Sequence, residues 1–197
     1  MYCLKSGAAL ILASASPRRK DLLDSLGFPY SIQAADICED PLPNELPKAL
    51  VSRLSQEKAT VLANRHNASW ILAADTMVVC DEEFLGKPID EQDAVRMLSL
   101  LSGRVHAVLG GVTLINQEQG VTLTKIFETR VIMRKFSSAE IRSYVKTQEP
   151  FGKAGAYAIQ GYAAAFVTEI EGSYTNVVGL DLSGVVEMFQ EVGILCD

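Results

Sequence analysis

The sequence is poor in the residues that most metal and redox chemistry needs. Its 197 residues hold only two histidines, His66 and His106, and four cysteines, Cys3, Cys38, Cys80 and Cys196, with no CxxC pair and no Cys–His spacing of a zinc site. A zinc centre or a Cys–His nucleophilic pair lacks its raw material, and the scattered cysteines read as reduced thiols. No apolar run reaches the roughly 20 residues that a membrane-spanning helix takes. The longest, Ala68 to Cys80, is interrupted by Asp75. Positive charge is short as well: 18 Lys plus Arg against 24 Asp plus Glu give a net charge of -6. No global basic field exists to attract duplex nucleic acid or an anionic membrane, so an anionic ligand has to be held by a local cluster of cations. Also missing are GxxxxGK[ST], GxGxxG and GxSxG, which leaves a P-loop, a dinucleotide fingerprint and a nucleophile elbow without support.

What is present is ordinary globular usage, 48% hydrophobic and 21% charged, which implies a packed core. The opening MYCLKSGAALILASAS has the outline of a secretory leader, but a short buried strand over Ala8–Ala13 running directly into a helix start fits it better. Ser16 suits the helix N-cap and Pro17 the first helical position, and Gly27 is the stop. An irregular acidic stretch from Asp36 to Pro47 precedes a second helix marked by Leu50, Leu54 and Val61. Trp70–Cys80 reads as a central strand and residues 81–88 as a turn and loop. Asp90 caps a third helix that stops at Gly103. Val105–Ile115 and Val121–Met133 form a hairpin, and Ser138 caps a fourth helix. A glycine-rich loop from Pro150 to Gly161 leads to a strand over Ala163–Ile170, and a last helix covers Leu182–Val192. Helices and strands alternate without a linker or repeat, which predicts an α/β or α+β class with a mixed sheet: one domain, 1–197, folding as two lobes around a cleft.

Two local anomalies carry the chemistry. Arg18, Arg19 and Lys20 stand at the positive end of the first helix dipole, where acidic residues are normally favoured. An anion docked there relieves the conflict, because backbone N–H groups, the Ser14 and Ser16 hydroxyls and two guanidiniums converge on phosphate oxygens; a solvated basic turn is the alternative. Asp75 lies within an apolar strand, so its carboxylate must be neutral, paired or bound to a cation. It either holds a divalent metal, deprotonates a water, or merely hydrogen-bonds a neighbouring backbone segment. Lys87 and Lys153 sit on glycine-bearing loops where a ligand can approach closely, and Glu39 is the other candidate metal carboxylate. Arg53 and Lys58 read from pattern alone as the wet face of the second helix.

The runs LASASPRRKDLL, AADTMVV followed by LGKP, SGRVHAV, KAGAYAIQG and GSYTNVVGLDL occur in the order found in Maf proteins, and the chain resembles that family from end to end. The resemblance implies an elongated α/β fold related to the inosine triphosphatase type, with a central mixed sheet, flanking helices and a cleft between two lobes. It implies hydrolysis of a nucleoside triphosphate to the monophosphate and pyrophosphate in the cytoplasm, with magnesium or manganese, often by a homodimer. Asp75 matches the family's proton acceptor, and Arg18, Thr76 and Gln160 match positions tied to substrate specificity. Ser14, Arg19, Glu39, Lys58, Lys87 and Lys153 fall on polar positions of the cleft, with Glu39 and Asp75 as the metal carboxylates. Residues 155–161 resemble the subgroup acting on dTTP and UTP more than the one acting on 7-methyl-GTP. The family's historical link to septum formation suggests a second class, a nucleotide sensor that does not hydrolyse. One departure is Gly110-Gly111-Val112, where Maf proteins commonly show Thr-Gly-Val. A structural role is expected for His106.

Overall fold

The computed structural model describes residues 2–196. Its elements run β1 (Leu10–Leu12), α1 (Pro17–Asp24), β2 (Ser31–Ile32), α2 (Pro47–Ala63), β3 (Trp70–Cys80), β4 (Glu83–Leu85), α3 (Glu91–Leu101), β5 (Val105–Asn116), β6 (Val121–Met133), α4 (Ser138–Lys146), β7 (Val167–Glu171), α5 (Tyr174–Val178) and α6 (Leu182–Glu191). The class is mixed α/β, with a seven-stranded sheet in the order β2-β1-β3-β5-β6-β7 and β4 paired to β3. The β1–β2 and β1–β3 pairs are parallel, while β3–β4 and β6–β7 are antiparallel. Two compact units emerge, one of Met1–Asp75, Gly110–Phe127 and Gly179–Asp197, the other of Thr76–Leu109 and Glu128–Val178.

In the first unit, the period of two along a strand sorts β1 and β3 onto two cores. Leu10, Leu12, Trp70, Leu72 and Ala74 face a cluster with Leu180, Val185, Met188 and Phe189. Ile11, Ala13, Ile71 and Ala73 face the other way, onto Ala59, Leu62 and Ala63 of α2. Helix α2 lies close to β5 because Gly111 has no side chain: a Cβ there would collide with the Val51 carbonyl. One turn further on, the Ser55 hydroxyl meets that of Thr113 at 2.9 Å, both buried, so neither polar group is left unsatisfied. The chain ends also meet here. Leu4 bridges Leu195, the Cys196 N–H donates to the Cys3 carbonyl at 2.8 Å, and Cys3 and Cys196 form a disulfide with Cα atoms 5.5 Å apart. That corrects the reading of four thiols; only folding brings residues 193 positions apart together. Cys38 and Cys80 are free.

In the second unit, α5 (Tyr174–Val178) was not expected, and three expected elements differ in detail. Residues 81–88 include strand β4, because Asp81 and Glu82 both adopt positive φ, 48° and 68°, and turn β3 back on itself as a tight hairpin requires. The cap of α4 is Ser137, not Ser138, since Ser137 and Glu140 exchange the two bonds of a capping box. The strand expected over Ala163–Ile170 begins as a 3-10 turn, Tyr162–Phe166, and becomes β7 only at Val167. Asp90 caps α3 as expected, accepting from the Asp93 N–H at 2.7 Å.

His106, on β5, is 2% exposed, and its Nε2 lies 2.8 Å from the Tyr157 hydroxyl. Its Nδ1 has no hydrogen-bond partner among the described residues. Burial pushes the imidazole down to about 4, so it is neutral in the folded chain, while the unfolded chain takes up a proton near pH 6.5. Above pH 6.5 both states are neutral and the ring contributes no pH dependence; as pH falls from 6.5 towards 4, stability is lost, about 3 kcal/mol in all. In urea titrations between pH 7 and pH 4, His106→Gln should therefore lose about 3 kcal/mol less than the parent chain. Identical pH slopes would contradict the neutral buried ring.

Candidate active site

Helix α1 opens with Pro17 and carries neither a side-chain cap nor an acidic residue in its first turn, so its positive end is left for an anion. Ser16 stands at the N-cap position, but its side chain makes no capping bond; instead its N–H donates to the buried Ser14 hydroxyl at 3.1 Å. Arg19 turns inward, donating from Nε to the Gly179 carbonyl at 2.8 Å and from Nη1 to the Ser14 hydroxyl at 3.4 Å. Its guanidinium is pushed down by burial, an effect that nearby Asp75 and Glu39 oppose and Arg18 reinforces. Arg18, half-buried, is likewise lowered by burial. Lys20 leaves the cluster: it is exposed and pairs with Asp24 one turn along the helix at 2.5 Å, so the three-cation run contributes two cations.

Strand alternation places Asp75 on the same face as Ile71 and Ala73, under α2. On α2, Val51, Ser55, Lys58 and Leu62 recur at i, i+4, i+7 and i+11 and are all buried, so Lys58 belongs to the inner face of the helix. The wet-face reading of Lys58 is thereby corrected. Lys58 and Asp75 are 7% and 8% exposed, and Lys58 Nζ donates to Asp75 Oδ1 at 2.7 Å. The same ammonium lies 2.6 Å from Oε1 of the exposed Glu39. Two carboxylates thus converge on one point of positive charge, beside Arg19. Arg53 instead binds Glu45 and Glu57, next to an open groove of about 790 Å³ along α2 that contains none of the expected site residues.

Among the described residues no three His, Cys, Asp or Glu side chains form a metal cage. The Asp75–Glu39 pair nevertheless suits magnesium or manganese, hard ions that take one or two carboxylates and complete their shell with water and substrate phosphates. No helix among the described residues is long and apolar enough to cross a membrane.

Thr76, Lys87, Lys153 and Gln160 belong to the second unit. The Gly155 N–H donates to the Gly86 carbonyl at 3.0 Å, which ties the loop of Lys153 to that of Lys87. Lys87 is exposed, and Lys153 donates to the Phe151 carbonyl at 3.3 Å. Gln160 is exposed between buried Ile159 and half-buried Gly161. The Gly179 carbonyl as an anchor for Arg19 was not read from the sequence, because a backbone acceptor 160 residues away leaves no pattern.

Removing one member of a buried ion pair leaves the other uncompensated, at a cost on the order of 3 kcal/mol. Lys58→Met should destabilise the chain by that amount in urea unfolding, and adding Asp75→Leu should restore most of it. A single variant as stable as the parent would mean that this pair does not hold α2 against β3.

The sequence is 48% identical over 94% of its length to a dTTP/UTP pyrophosphatase of Geobacter sulfurreducens, of which 97% is covered. It is 46% identical over 98% to the enzyme of that name from Geobacter metallireducens, covered in full at 100%, and 47% identical over 94% to that of Myxococcus xanthus, covered to 93%. A HAM1 protein structure from Coxiella burnetii overlays 64% of this chain and 73% of its own, at 14% identity and a TM-score of 0.42. The profile described as Maf-like protein matches residues 9–192. With the family's profile spanning nearly the whole chain and its relatives alike from end to end, this chain belongs to the Maf family.

Proposed function

We propose that the protein is a nucleoside triphosphate pyrophosphatase that hydrolyses dTTP and UTP to the monophosphate and pyrophosphate. The observation that carries the reading is the buried Asp75 carboxylate, set against Lys58 with Glu39 on the other side and Arg19 near by. Such an arrangement fits attack by water on a phosphorus whose oxygens are neutralised by cations. The base preference follows the name that the relatives share and the run at residues 155–161.

In this reading the triphosphate lies at the uncapped start of α1, where Arg18, Arg19 and the Ser14 hydroxyl bind its oxygens. Lys87 and Lys153 supply further positive charge to the leaving pyrophosphate. Asp75 and Glu39 would hold a divalent cation, magnesium or manganese, which would supply neutralisation of phosphate charge. Asp75 Oδ1 accepts from Lys58, and the same carboxylate accepts the proton of the attacking water. Lys58 holds that carboxylate in place through its 2.7 Å hydrogen bond. Water adds at the α-phosphorus as the bond to the pyrophosphate oxygen breaks. Thr76 and Gln160 take part in substrate selection, Gln160 by hydrogen bonds to the base, since a wrong base edge left unpaired is costly. The cytoplasm, where nucleotide pools lie, is the proposed location, and a homodimer the proposed assembly.

The test is a panel of dTTP, UTP, purine triphosphates and 7-methyl-GTP incubated with magnesium, with pyrophosphate and monophosphate measured. Equimolar products from dTTP and UTP, at rates well above the others, are expected. Saturable binding without product would favour a non-hydrolysing sensor, and a strong preference for 7-methyl-GTP would overturn the base assignment.

A further inference from the structure

The loop that carries Gln160 is held by a carboxylate outside the reacting centre. Glu149 follows α4 and is tied to its end, its own N–H donating to the Thr147 hydroxyl at 3.2 Å. From there its carboxylate spans the loop. Oε2 accepts the Tyr162 N–H at 3.1 Å, and Oε1 accepts the Ala163 N–H at 3.4 Å and the Tyr144 hydroxyl at 2.8 Å. The Tyr144 oxygen in turn accepts the Ala158 N–H at 3.1 Å. Backbone donors on both sides of Gln160 therefore end on one Glu149–Tyr144 unit. Gly161 lies directly against it: a Cβ at that position would collide with the carboxylate, although its φ of -111° suits any residue. The glycine leaves room for the carboxylate.

The arrangement is more than a generic loop anchor. Ile159 and Tyr157 are buried, and Tyr157 is pinned by His106 at 2.8 Å, while Gln160, which follows them, is exposed and makes no side-chain hydrogen bond among the described residues. A long polar side chain on a backbone fixed at both sides is suited to present its amide to a ligand with little loss of freedom on binding. Burial, followed by the bond to Glu149, raises the Tyr144 phenol above its ordinary value, so it stays a neutral donor to the carboxylate.

We propose that Glu149 is a positioning residue for base selection: its carboxylate, with the Tyr144 hydroxyl, fixes residues 158–163 so that Gln160 addresses the base of the nucleotide. This rests on the reading of Gln160 as a base-contacting side chain. Glu149 itself touches no substrate. A glutamine at 149 keeps one acceptor oxygen but turns an N–H₂ towards a backbone N–H, leaving that donor without a partner. Aspartate keeps both acceptor oxygens on a shorter arm.

Three measurements test it on Glu149→Gln, Glu149→Asp, Gln160→Ala and the Glu149→Gln/Gln160→Ala double variant. Amide hydrogen exchange of residues 158–163 should accelerate in Glu149→Gln and less in Glu149→Asp; unchanged exchange would overturn the clamp. With saturating magnesium, Glu149→Gln should lower the ratio of kcat/KM for dTTP to that for dATP about tenfold, the change expected from one lost hydrogen bond. The loss should come through KM for dTTP with kcat little changed, and Glu149→Asp should recover part of it. The double variant should be no less selective than Gln160→Ala alone, because the two act in series. A uniform fall in kcat for every nucleotide with the ratio intact would mean a merely structural role and overturn the proposal. If Gln160→Ala leaves the ratio unchanged, the reading of Gln160 fails, and with it the assignment of Glu149 to base selection, even where exchange accelerates.

Discussion

An ammonium held against a carboxylate beneath the inner face of a helix is the constraint on which the site depends. Both groups are nearly closed off from water, and each is tolerable there only because the other is present. Lys58 reaches Asp75 because α2 lies on the sheet without a gap, and that contact needs the missing Cβ at Gly111 and the paired hydroxyls of Ser55 and Thr113. The apolar packing of Ala59, Leu62 and Ala63 on Ile71 and Ala73 does the rest. A core built this way ends in a charged pair at the place where the chain offers its other polar groups: Ser14, Arg19 and Glu39.

In the proposed reading, that cluster receives a ligand that is both anionic and metal-bearing. Two carboxylates share one lysine, and Arg19, brought in by Ser14 and the Gly179 carbonyl, is destabilised by burial more than a surface arginine would be. Bringing a polyanion to the uncapped start of α1 offsets that cost. In the proposed reading, substrate selection draws on a separate part of the chain, where the loop of Gln160 is held by Glu149.

Much of this was legible in the sequence wherever a residue violates its local setting. Asp75 stands out in an apolar strand whose bounds, Trp70–Cys80, coincide with the expected ones, and Arg19 stands out at the wrong end of a dipole. Asp90 was legible through capping chemistry, and the expected start of the last helix coincides with that of α6 at Leu182. Lys58 was not legible from pattern, because a lysine at a helix position that could face either way reads as solvated; the family resemblance supplied it. Lys20, beside Arg18 and the inward-turned Arg19, binds Asp24, an i, i+4 acid one turn along the helix. The strand expected from Ala163 fails to start there because the Tyr162 and Ala163 N–H groups are already spent on Glu149, a tertiary demand that alternation of residue types does not encode. The Cys3–Cys196 link lay beyond spacing rules for the same reason.

The central claim, that Asp75 is where the chemistry happens and the surrounding cations are where the phosphates bind, is tested most directly by one variant measured two ways. Asp75→Asn keeps the size of the side chain and removes its basicity. The account predicts loss of pyrophosphate release by several orders of magnitude, with the dissociation constant for a non-hydrolysable dTTP analogue close to that of the parent chain. Turnover near the parent's rate would contradict it and move the proton acceptor elsewhere.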